Sequence, residues 1–270
     1  MELAGKSVLV TGAASGIGQA IAQRVANEGP SVVICIDKNS DGATRTATAI
    51  TAMGVTSYAI AIDLADPTAI DLASKIVLES HGCIDLLVCN AGVSFSGGIE
   101  TDEAAWKTSW DVNLMAQVRL ARNFIPSMIE NGGGYILNTA SAAGLLTGLG
   151  ALSYAVTKHG SVALSEWLAI THKRDNIRVS VLCSMGVRTG LLLPETDPGQ
   201  HRSLAQAAVL DAGALLEPSA VAEAVVAAIN EEQFLILPHP EVRQFYNFRA
   251  NNTDKWITAM ARYQESLLDG

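Results

Sequence analysis

Residues 6–18 read Lys6-Ser-Val-Leu-Val-Thr11-Gly12-Ala-Ala-Ser15-Gly16-Ile17-Gly18, a short apolar run followed at once by a glycine-rich turn. The run predicts a buried strand, and apolar residues recur at helical spacing after the turn. Glycines allow a tight turn and a close approach to a pyrophosphate, whose charge the N–H groups and dipole of the following helix would face. The stretch therefore predicts a nucleotide-binding strand, turn and helix, although its glycine spacing departs from the commoner Gly-x-Gly-x-x-Gly pattern.

A second apolar run, residues 31–36, ends in Asp37, which lies about 20 residues beyond Gly18. A carboxylate at this position can accept hydrogen bonds from the adenosine ribose hydroxyls and would repel a 2'-phosphate. We therefore expect NAD rather than NADP as the cofactor. Two alternatives stay open, because the ammonium of Lys38 could partly accommodate a phosphate and Asp37 could simply begin a turn.

Tyr154 and Lys158 are four residues apart in Ser153-Tyr-Ala-Val-Thr-Lys158, a spacing that puts both side chains on one helix face. A free tyrosine titrates near pH ~10, so acid–base work near neutrality needs a pKa about three units lower, or roughly 4 kcal/mol. One positive charge about 4 Å away contributes on the order of that energy at an effective dielectric of about 20. The pair predicts a proton-transfer site, although a tyrosine and a lysine can also merely share a helix surface.

Six motifs occur in the order found in the short-chain dehydrogenase/reductase family, which the chain resembles from about residue 3 to residue 238. They are Thr11-Gly12-x-x-x-Gly16-Ile17-Gly18, Asp63-Leu64, Asn90-Ala91-Gly92, Asn113, Ser141 and Tyr154-x-x-x-Lys158. Six matches in sequence order are much stronger evidence than any one of them. The resemblance implies an enzyme that moves a hydride between a substrate carbon and a nicotinamide.

The resemblance also implies a catalytic set of Asn113, Ser141, Tyr154 and Lys158. The tyrosine would exchange a proton with the substrate oxygen, and Lys158 would lower its pKa and bind the nicotinamide ribose. Ser141 would polarise the carbonyl or orient the alcohol, and Asn113 would anchor a water in a proton relay. Taken alone, Ser141 could be an ordinary cap and Asn113 a polar residue inside a helix.

By the same resemblance, cofactor-binding residues are expected at the carboxyl ends of the strands, where ligands bind in open parallel sheets. They are Gly12, Ser15, Gly16, Ile17, Gly18, Asp37, Asp63, Leu64, Asn90, Ala91, Gly92, Tyr154, Lys158, Val187 and Thr189. The chain departs from the family in one loop. Aligned on Val187 and Thr189, it has Ser184-Met185 where the family usually has Pro-Gly beside the nicotinamide carboxamide.

Substrate recognition is expected in the variable segment 190–216, where leucines alternate with prolines and glycines as in a mobile lid. The expected substrate contacts are Leu191 and Leu192 in this segment and, by the same resemblance, Phe95, Ser141, Leu145, Leu146 and Tyr154. These apolar side chains favour a hydrophobic secondary alcohol or its ketone as the small-molecule substrate. The lid leucines could equally pack together without touching substrate.

Length and patterning predict one α/β domain, residues 1–240, with a C-terminal extension over 241–270. A chain of 270 residues, 49% of them hydrophobic, can bury a large core. Alternating strand and helix signals predict a Rossmann-type, doubly wound, seven-stranded parallel sheet. One helix is expected over 102–130, between the fourth and fifth strands.

The extension carries Trp256, Ile257, Met260, Tyr263 and Leu267 at helical spacing. This pattern predicts an amphipathic helix that must bury its apolar side. The helix could pack on its own domain. We favour a neighbouring subunit of a homodimer or homotetramer, because the family is usually oligomeric and aromatic faces suit interfaces.

Charge and composition argue against several other functions. The net charge of −9 without a basic stripe is unfavourable for nucleic acid. No leader and no apolar stretch of ~20 residues is evident, so no membrane partner and a cytoplasmic location are expected. The four cysteines lack Cys-x-x-Cys spacing and are expected to be reduced packing residues, so that no metal site is expected.

Other classes stay open. One is a catalytically silent NAD-binding scaffold or redox sensor on the same fold, against which the intact active-site set argues. Another is a sugar-nucleotide epimerase or dehydratase, whose longer substrate domain and different glycine spacing fit this chain poorly. Related enoyl reductases usually place six residues between the tyrosine and the lysine, and fit poorly as well.

Overall fold

The computed structural model describes residues 1–193 and 202–269. Its strands are β1 (Ser7–Thr11), β2 (Val32–Asp37), β3 (Thr56–Ala61), β4 (Leu86–Cys89), β5 (Gly134–Thr139), β6 (Ile177–Leu182) and β7 (Leu235–Ile236). All pair in parallel, in the order β3-β2-β1-β4-β5-β6-β7. The predicted doubly wound, seven-stranded parallel sheet is confirmed.

Helices cover both faces of this sheet. They are α1 (Gly16–Ala26), α2 (Ser40–Ala52), α3 (Pro67–His81), α4 (Glu103–Trp110), α5 (Ala116–Glu130), α6 (Ala143–Leu146), α7 (Leu152–Thr171), α8 (Leu204–Asp211), α9 (Pro218–Asn230), α10 (Glu241–Asn251) and α11 (Thr253–Leu268). Helices α1, α2 and α9 share one apolar cluster with the sheet, and α3, α5 and α7 share the other. In the described ranges, none of these helices has the length and apolarity needed to cross a bilayer.

The central strands are buried on both sides, which explains their continuous apolar sequences. In β1, Val8 and Val10 belong to the cluster under α1 and α9, whereas Leu9 belongs to the opposite cluster. Side chains alternate because successive residues of a strand point to opposite faces. Full burial of one such side chain contributes about 1.5–3 kcal/mol, so β1 is anchored firmly in register.

The strand order reverses between β1 and β4, which lie side by side with Val10 opposite Val88. The chain leaves β1 toward α1 on one face, and leaves β4 toward the helices of the other face. A crevice opens where two such connections diverge at the carboxyl ends of the strands. This geometry positions the candidate site.

The helix expected over 102–130 is interrupted. Helices α4 and α5 are separated by a π-helical turn, Asp111–Met115, which contains Asn113. A π turn inserts one extra residue without changing which face is apolar, and such turns are frequent at functional sites. The hydrophobic pattern therefore gave no sign of it.

The C-terminal extension forms α10 and α11 and packs on its own domain, the alternative that the sequence analysis favoured less. Arg249 Nη1 donates to the Leu145 main-chain oxygen at 2.6 Å, and the Tyr263 hydroxyl lies 2.9 Å from Asp211 Oδ2. Helix α11 contains all five residues of the amphipathic pattern, but Ile257 is 60% exposed and does not belong to the inward stripe. Contact with a neighbouring subunit stays a prediction.

Candidate active site

The glycine-rich turn between β1 and α1 is too closely packed for side chains. A Cβ on Gly12, whose φ is +67°, would lie 2.8 Å from Asn90 Nδ2 and 2.9 Å from Ala91 Cα. A Cβ on Gly18 would lie 2.2 Å from the Gly12 oxygen. The turn therefore needs glycine at both positions, and it rests against the end of β4.

The first turn of α1 faces an open cleft. Ser15 occupies the N-cap position, but its side chain makes no capping hydrogen bond. In α2 and α3, by contrast, Asn39 and Asp66 cap the first turn through their side chains. The leading N–H groups of α1 are thus left free of a side-chain cap beside Gly16 and Ile17, in the arrangement that binds a phosphate.

Asp37 lies at the edge of the same cleft, at the end of β2. Its Oδ2 accepts the Ala14 N–H at 3.0 Å, and its Oδ1 accepts the Asn39 N–H at 2.9 Å. These bonds fix the orientation of the carboxylate and leave further lone pairs of both oxygens for a ligand. Lys38 also lines the cleft, and its side chain is exposed.

The cleft has a volume of about 300 Å³ and gathers most of the expected cofactor residues. Those along its walls are Gly12, Ser15, Gly16, Ile17, Asp37, Asp63, Leu64, Asn90, Ala91, Gly92, Tyr154, Lys158 and Thr189. Gly18 does not reach the wall, because it packs beneath the turn. Val187 lines the adjoining cavity instead. The uncapped helix, the glycine turn and the fixed carboxylate together fit a dinucleotide.

Tyr154 and Lys158 lie side by side on α7, as their spacing predicts. Lys158 is 2% exposed, its Nζ donates to the Thr139 oxygen at 2.7 Å, and it lies 5.5 Å from the centre of the Tyr154 ring. Burial lowers the pKa of Lys158 to about 8. Thr139 ends β5, so the sheet edge fixes the position of the ammonium.

The pKa of Tyr154 differs from the expectation. Burial raises the pKa of the phenol, and the nearby Ser141 hydroxyl opposes that rise only in part. The expected lowering by Lys158 does not dominate, because the ammonium is bonded to Thr139 and desolvation penalises both charged groups. The spacing of the pair was predictable, whereas the cost of burying it was not.

Asn113 is completely buried and fastens the loop after β4 to α7. Its Oδ1 accepts the Val93 N–H at 2.8 Å, and its Nδ2 donates to the Val93 oxygen at 2.9 Å and to Thr157 Oγ1 at 3.1 Å. A Cβ on Gly92 would lie 3.4 Å from both Asn113 Oδ1 and Lys158 Nζ. The amide thus positions the wall beside Lys158, and its expected role as a water anchor stays a prediction.

Ser141 follows β5, and its hydroxyl caps the turn that comes next, which is the alternative role expected for this serine from its sequence alone. Its Oγ accepts the Ala143 N–H at 3.1 Å and donates weakly to the Ser184 oxygen at 3.5 Å. The same hydroxyl lines a second cavity together with Tyr154, and its interaction with the phenol acts to lower the pKa of Tyr154. Ser141 and Tyr154 therefore present two hydroxyl groups at one point.

The second cavity, of about 690 Å³, adjoins the cleft. The residues that line both are Ile17, Tyr154, Ser184, Thr189 and Leu191. Its apolar walls include Leu146, Leu149, Met185, Val187, Leu192, Val209, Phe245, Trp256 and Met260. Tyr154 therefore stands at the junction between a polar, glycine-walled cleft and a mainly apolar cavity.

Two of the expected substrate contacts do not line the cavity. Leu145 is 3% exposed and packs in a core cluster with Cys183 and Val242, whereas Leu146, expected beside it, does line the cavity. Ser94 and Ser96 line the cavity, whereas Phe95 between them does not.

Leu191 and Leu192 line the cavity as expected, and Gln206 Nε2 donates to the Leu192 oxygen at 2.9 Å. This bond ties the first part of the expected lid to α8. Residues 194–201 of the expected lid, including Pro194 and Pro198, lie outside the described residues.

Sequence reasoning missed His239, which follows β7. Its side chain is buried, its Nδ1 accepts the Met185 N–H at 3.1 Å, and its Nε2 donates to the Gly186 oxygen at 3.1 Å. Because a main-chain N–H must donate, the proton belongs on Nε2. The imidazole thus holds the loop in which Ser184-Met185 replaces the family's usual Pro-Gly. A single histidine after a strand carried no signal of this role.

Comparisons with known proteins agree with this geometry. The model of the short chain dehydrogenase family matches residues 6–198. The 1-deoxy-11-beta-hydroxypentalenate dehydrogenase of Streptomyces avermitilis is 32% identical in an alignment that is 276 positions long, gaps included, and covers 98% of this chain and 96% of that protein.

Solved structures are also similar. A short-chain dehydrogenase/reductase from Burkholderia phymatum in complex with NAD superposes with a TM-score of 0.84 at 29% identity, covering 94% of this chain and 96% of that one. L-Sorbose reductase from Gluconobacter frateurii, complexed with NADPH and L-sorbose, gives a TM-score of 0.78 at 28% identity, covering 88% and 97%. Similar proteins thus carry either nicotinamide dinucleotide.

Proposed function

The chain belongs to the short-chain dehydrogenase/reductase family, and from this premise we propose that it is an NAD-dependent oxidoreductase that interconverts a hydrophobic secondary alcohol and its ketone. One observation carries the proposal: the Tyr154 phenol stands where the glycine-walled cleft meets the apolar cavity. A substrate oxygen in the cavity and a nicotinamide in the cleft would both meet it.

The cleft residues would hold the cofactor, which supplies or accepts the hydride when bound. The uncapped first turn of α1 would bind the diphosphate, and Asp37 would accept the adenosine ribose hydroxyls. Lys158 would bind the nicotinamide ribose. Because relatives carry NAD or NADPH, the preference for NAD rests on the fixed negative charge of Asp37, which repels a 2'-phosphate.

Tyr154 would act as the general acid in ketone reduction and as the general base in alcohol oxidation. Ser141 would donate a hydrogen bond to the same substrate oxygen and so stabilise the charge that develops there. The ammonium of Lys158, held by the Thr139 oxygen, would favour the phenolate. Asn113 would position Lys158 through the wall at Gly92 and anchor a water of the proton relay.

The cavity favours an uncharged substrate. Its described lining residues include no lysine or arginine, and Asp211 contributes a carboxylate. An anionic group drawn into this cavity would lose its hydration without gaining a counter-charge. The relative that is named as a hydroxypentalenate dehydrogenase supports alcohol oxidation as the reaction class.

A homodimer or homotetramer is part of the same proposal. Helices α4 and α7 pack against each other and carry exposed large apolar side chains. These are Trp110 on α4, and Trp167 and Ile170 on α7. A second copy of the chain would cover these side chains and remove their apolar surface from water. The outward side of α11 is a further candidate for contact between subunits.

The proposal is tested by screening secondary alcohols with NAD and with NADP while following the absorbance of the reduced nicotinamide. We expect turnover of apolar secondary alcohols, with a higher kcat/KM for NAD than for NADP. A preference for NADP would refute the cofactor assignment. Turnover of phosphorylated or highly charged compounds alone would refute the substrate class.

A further inference from the structure

One wall of the large cavity comes from the C-terminal extension of the same chain. Phe245 on α10 and Trp256, Met260 and Tyr263 on α11 line the cavity. The three α11 residues follow one another at intervals of four and three, so they form a single stripe along one helix face. Ile257, the neighbour of Trp256, is 60% exposed on the other side. One face of α11 therefore bounds the cavity.

Anchors hold both helices of the extension over the cavity. On α11, the Tyr263 hydroxyl lies 2.9 Å from Asp211 Oδ2 and 3.1 Å from the Ala208 oxygen, at the end of α8. On α10, Arg249 Nη1 donates to the Leu145 oxygen at 2.6 Å, close to the Ser141 turn. Burial and the neighbouring carboxylate of Asp211 raise the pKa of Tyr263 to about 12, so the phenol stays a donor at ordinary pH.

Aromatic contacts restrain Trp256. Its ring centroid lies 6.4 Å from that of Phe245 and 6.4 Å from that of Phe248, and the latter pair is edge-on. Such ring pairs add to the energy of area burial and fix side-chain orientation. Trp256 is thus a defined boundary rather than a freely moving side chain.

We propose that Trp256 and Met260 set the maximum length of the substrate, and that the Tyr263–Asp211 hydrogen bond positions them. The inference rests on the proposed function, since the reacting carbon is taken to lie beside Tyr154. An apolar substituent on that carbon would extend through the cavity toward α11. The substrate class is therefore a neutral secondary alcohol with one long or bulky apolar substituent, bounded by the chain's own C-terminal helix.

The test uses full-length protein, NAD and a series of 2-alkanols from butan-2-ol to dodecan-2-ol. In the wild type, kcat/KM rises with chain length and then falls at a cut-off. Trp256→Ala and Met260→Ala should each move the cut-off to longer alcohols, and should raise KM roughly tenfold for alcohols that fill the wild-type cavity. The KM for NAD should not change, because neither residue lines the cofactor cleft.

Ile257→Ala is the matched control, because it removes a similar apolar side chain from the outer face of the same helix. An unchanged cut-off in both Trp256→Ala and Met260→Ala, or an equal shift in Ile257→Ala, overturns the inference. If Trp256→Ala fails to fold, Trp256→Phe is substituted and a smaller shift is expected. Tyr263→Phe removes only the hydroxyl and should raise KM for the long alcohols, and an unchanged KM refutes the positioning role.

A binding measurement separates failure of this inference from failure of the proposed function. If the wild type oxidises none of the alcohols, the proposed function fails. The role of the α11 face in limiting ligand length is then tested by adding 2-alkanones of increasing length in the presence of NADH and measuring how much each one raises the Tm. A length cut-off that moves in Trp256→Ala supports the wall, whereas stabilisation that is absent or independent of length overturns it.

Discussion

Lys158 Nζ donates a hydrogen bond of 2.7 Å to the main-chain oxygen of Thr139, at the last residue of β5. A buried ammonium is thus held by a neutral oxygen of the sheet edge, and burial lowers its pKa to about 8. The lysine that the sequence suggested as a source of positive charge therefore titrates close to the working pH. Two pH-dependent consequences follow from this pair.

Cofactor affinity should fall as the pH rises through about 8, because neutral Lys158 no longer attracts the negatively charged cofactor. We expect the Kd of NADH, measured by fluorescence titration, to increase several-fold between pH 7 and pH 9 in the wild type. A change of this size corresponds to the loss of roughly one charge contact between Lys158 and the cofactor. Lys158→Met should bind weakly with little pH dependence over this range. A wild-type Kd that stays constant would contradict the assignment.

The stability of the folded protein should increase as the pH rises, whereas the cofactor affinity falls. The pKa of Lys158 is lower in the folded protein than its ordinary value of 10.5, so between pH 8 and pH 10 the unfolded chain binds more protons. This group therefore makes the folded state more stable as the pH rises through that window. The raised pKa of Tyr154 acts in the reverse direction only above its ordinary value of 10. We expect the Tm of the wild type to rise relative to the Tm of Lys158→Met between pH 8 and pH 10. Parallel curves of Tm against pH for the two proteins would refute the lowered pKa of Lys158.

Asp37 should control the choice between NAD and NADP. Asp37→Asn keeps the shape of the side chain and removes the charge that repels a 2'-phosphate. The ratio of kcat/KM for NAD to that for NADP is expected to fall at least tenfold, or about 1.4 kcal/mol. The double variant Asp37→Asn with Lys38→Ala should have a lower kcat/KM for NADP than Asp37→Asn alone, because it lacks the ammonium that could accommodate the 2'-phosphate. An unchanged ratio in Asp37→Asn would show that the carboxylate does not select the cofactor.

His239 should act on the cofactor through the loop that it holds. His239→Ala leaves the Met185 N–H without its partner, at a cost of about 1–3 kcal/mol for a buried group, whereas the Gly186 oxygen keeps the Leu216 N–H at 3.0 Å. We expect a lower Tm and a KM for NAD raised several-fold. His239→Asn, which can still accept the Met185 N–H, should recover part of both. Adding Ser184→Pro, which restores part of the family's Pro-Gly, should rescue KM in the His239→Ala background, and failure of both rescues would contradict the role.

Local spacing accounts for what the sequence predicted well. The run from β1 into α1 and the four-residue interval from Tyr154 to Lys158 are set by neighbouring residues, so strand, turn and helix geometry carry them directly into the structure. The strand order and the cleft follow from the alternation of strands and helices. For the same reason Asp37 was expected at a strand end and lies there.

Features that depend on distant contacts or on a one-residue register were not predictable. Both Leu145 and Leu146 were expected at the cavity, and separating the buried Leu145 from the lining Leu146 required the loop geometry after β5, which apolar periodicity does not encode. The position of α11 depends on the contact of Tyr263 with Asp211, 52 residues apart. The pKa of Tyr154 depends on desolvation, which only tertiary structure reveals.

The most direct measurement is the turnover of Tyr154→Phe beside its affinity for NADH. Removing the hydroxyl deletes the proposed proton donor and leaves the ring, the glycine turn and Asp37 in place. We expect turnover of a secondary alcohol to fall by roughly 10²–10⁴-fold, with the Kd of NADH within a factor of about three of the wild-type value. Turnover within tenfold of the wild type would contradict the assignment of Tyr154 as the acid and base, and a wild type that binds NADH without turning over any alcohol or ketone would point to a silent scaffold.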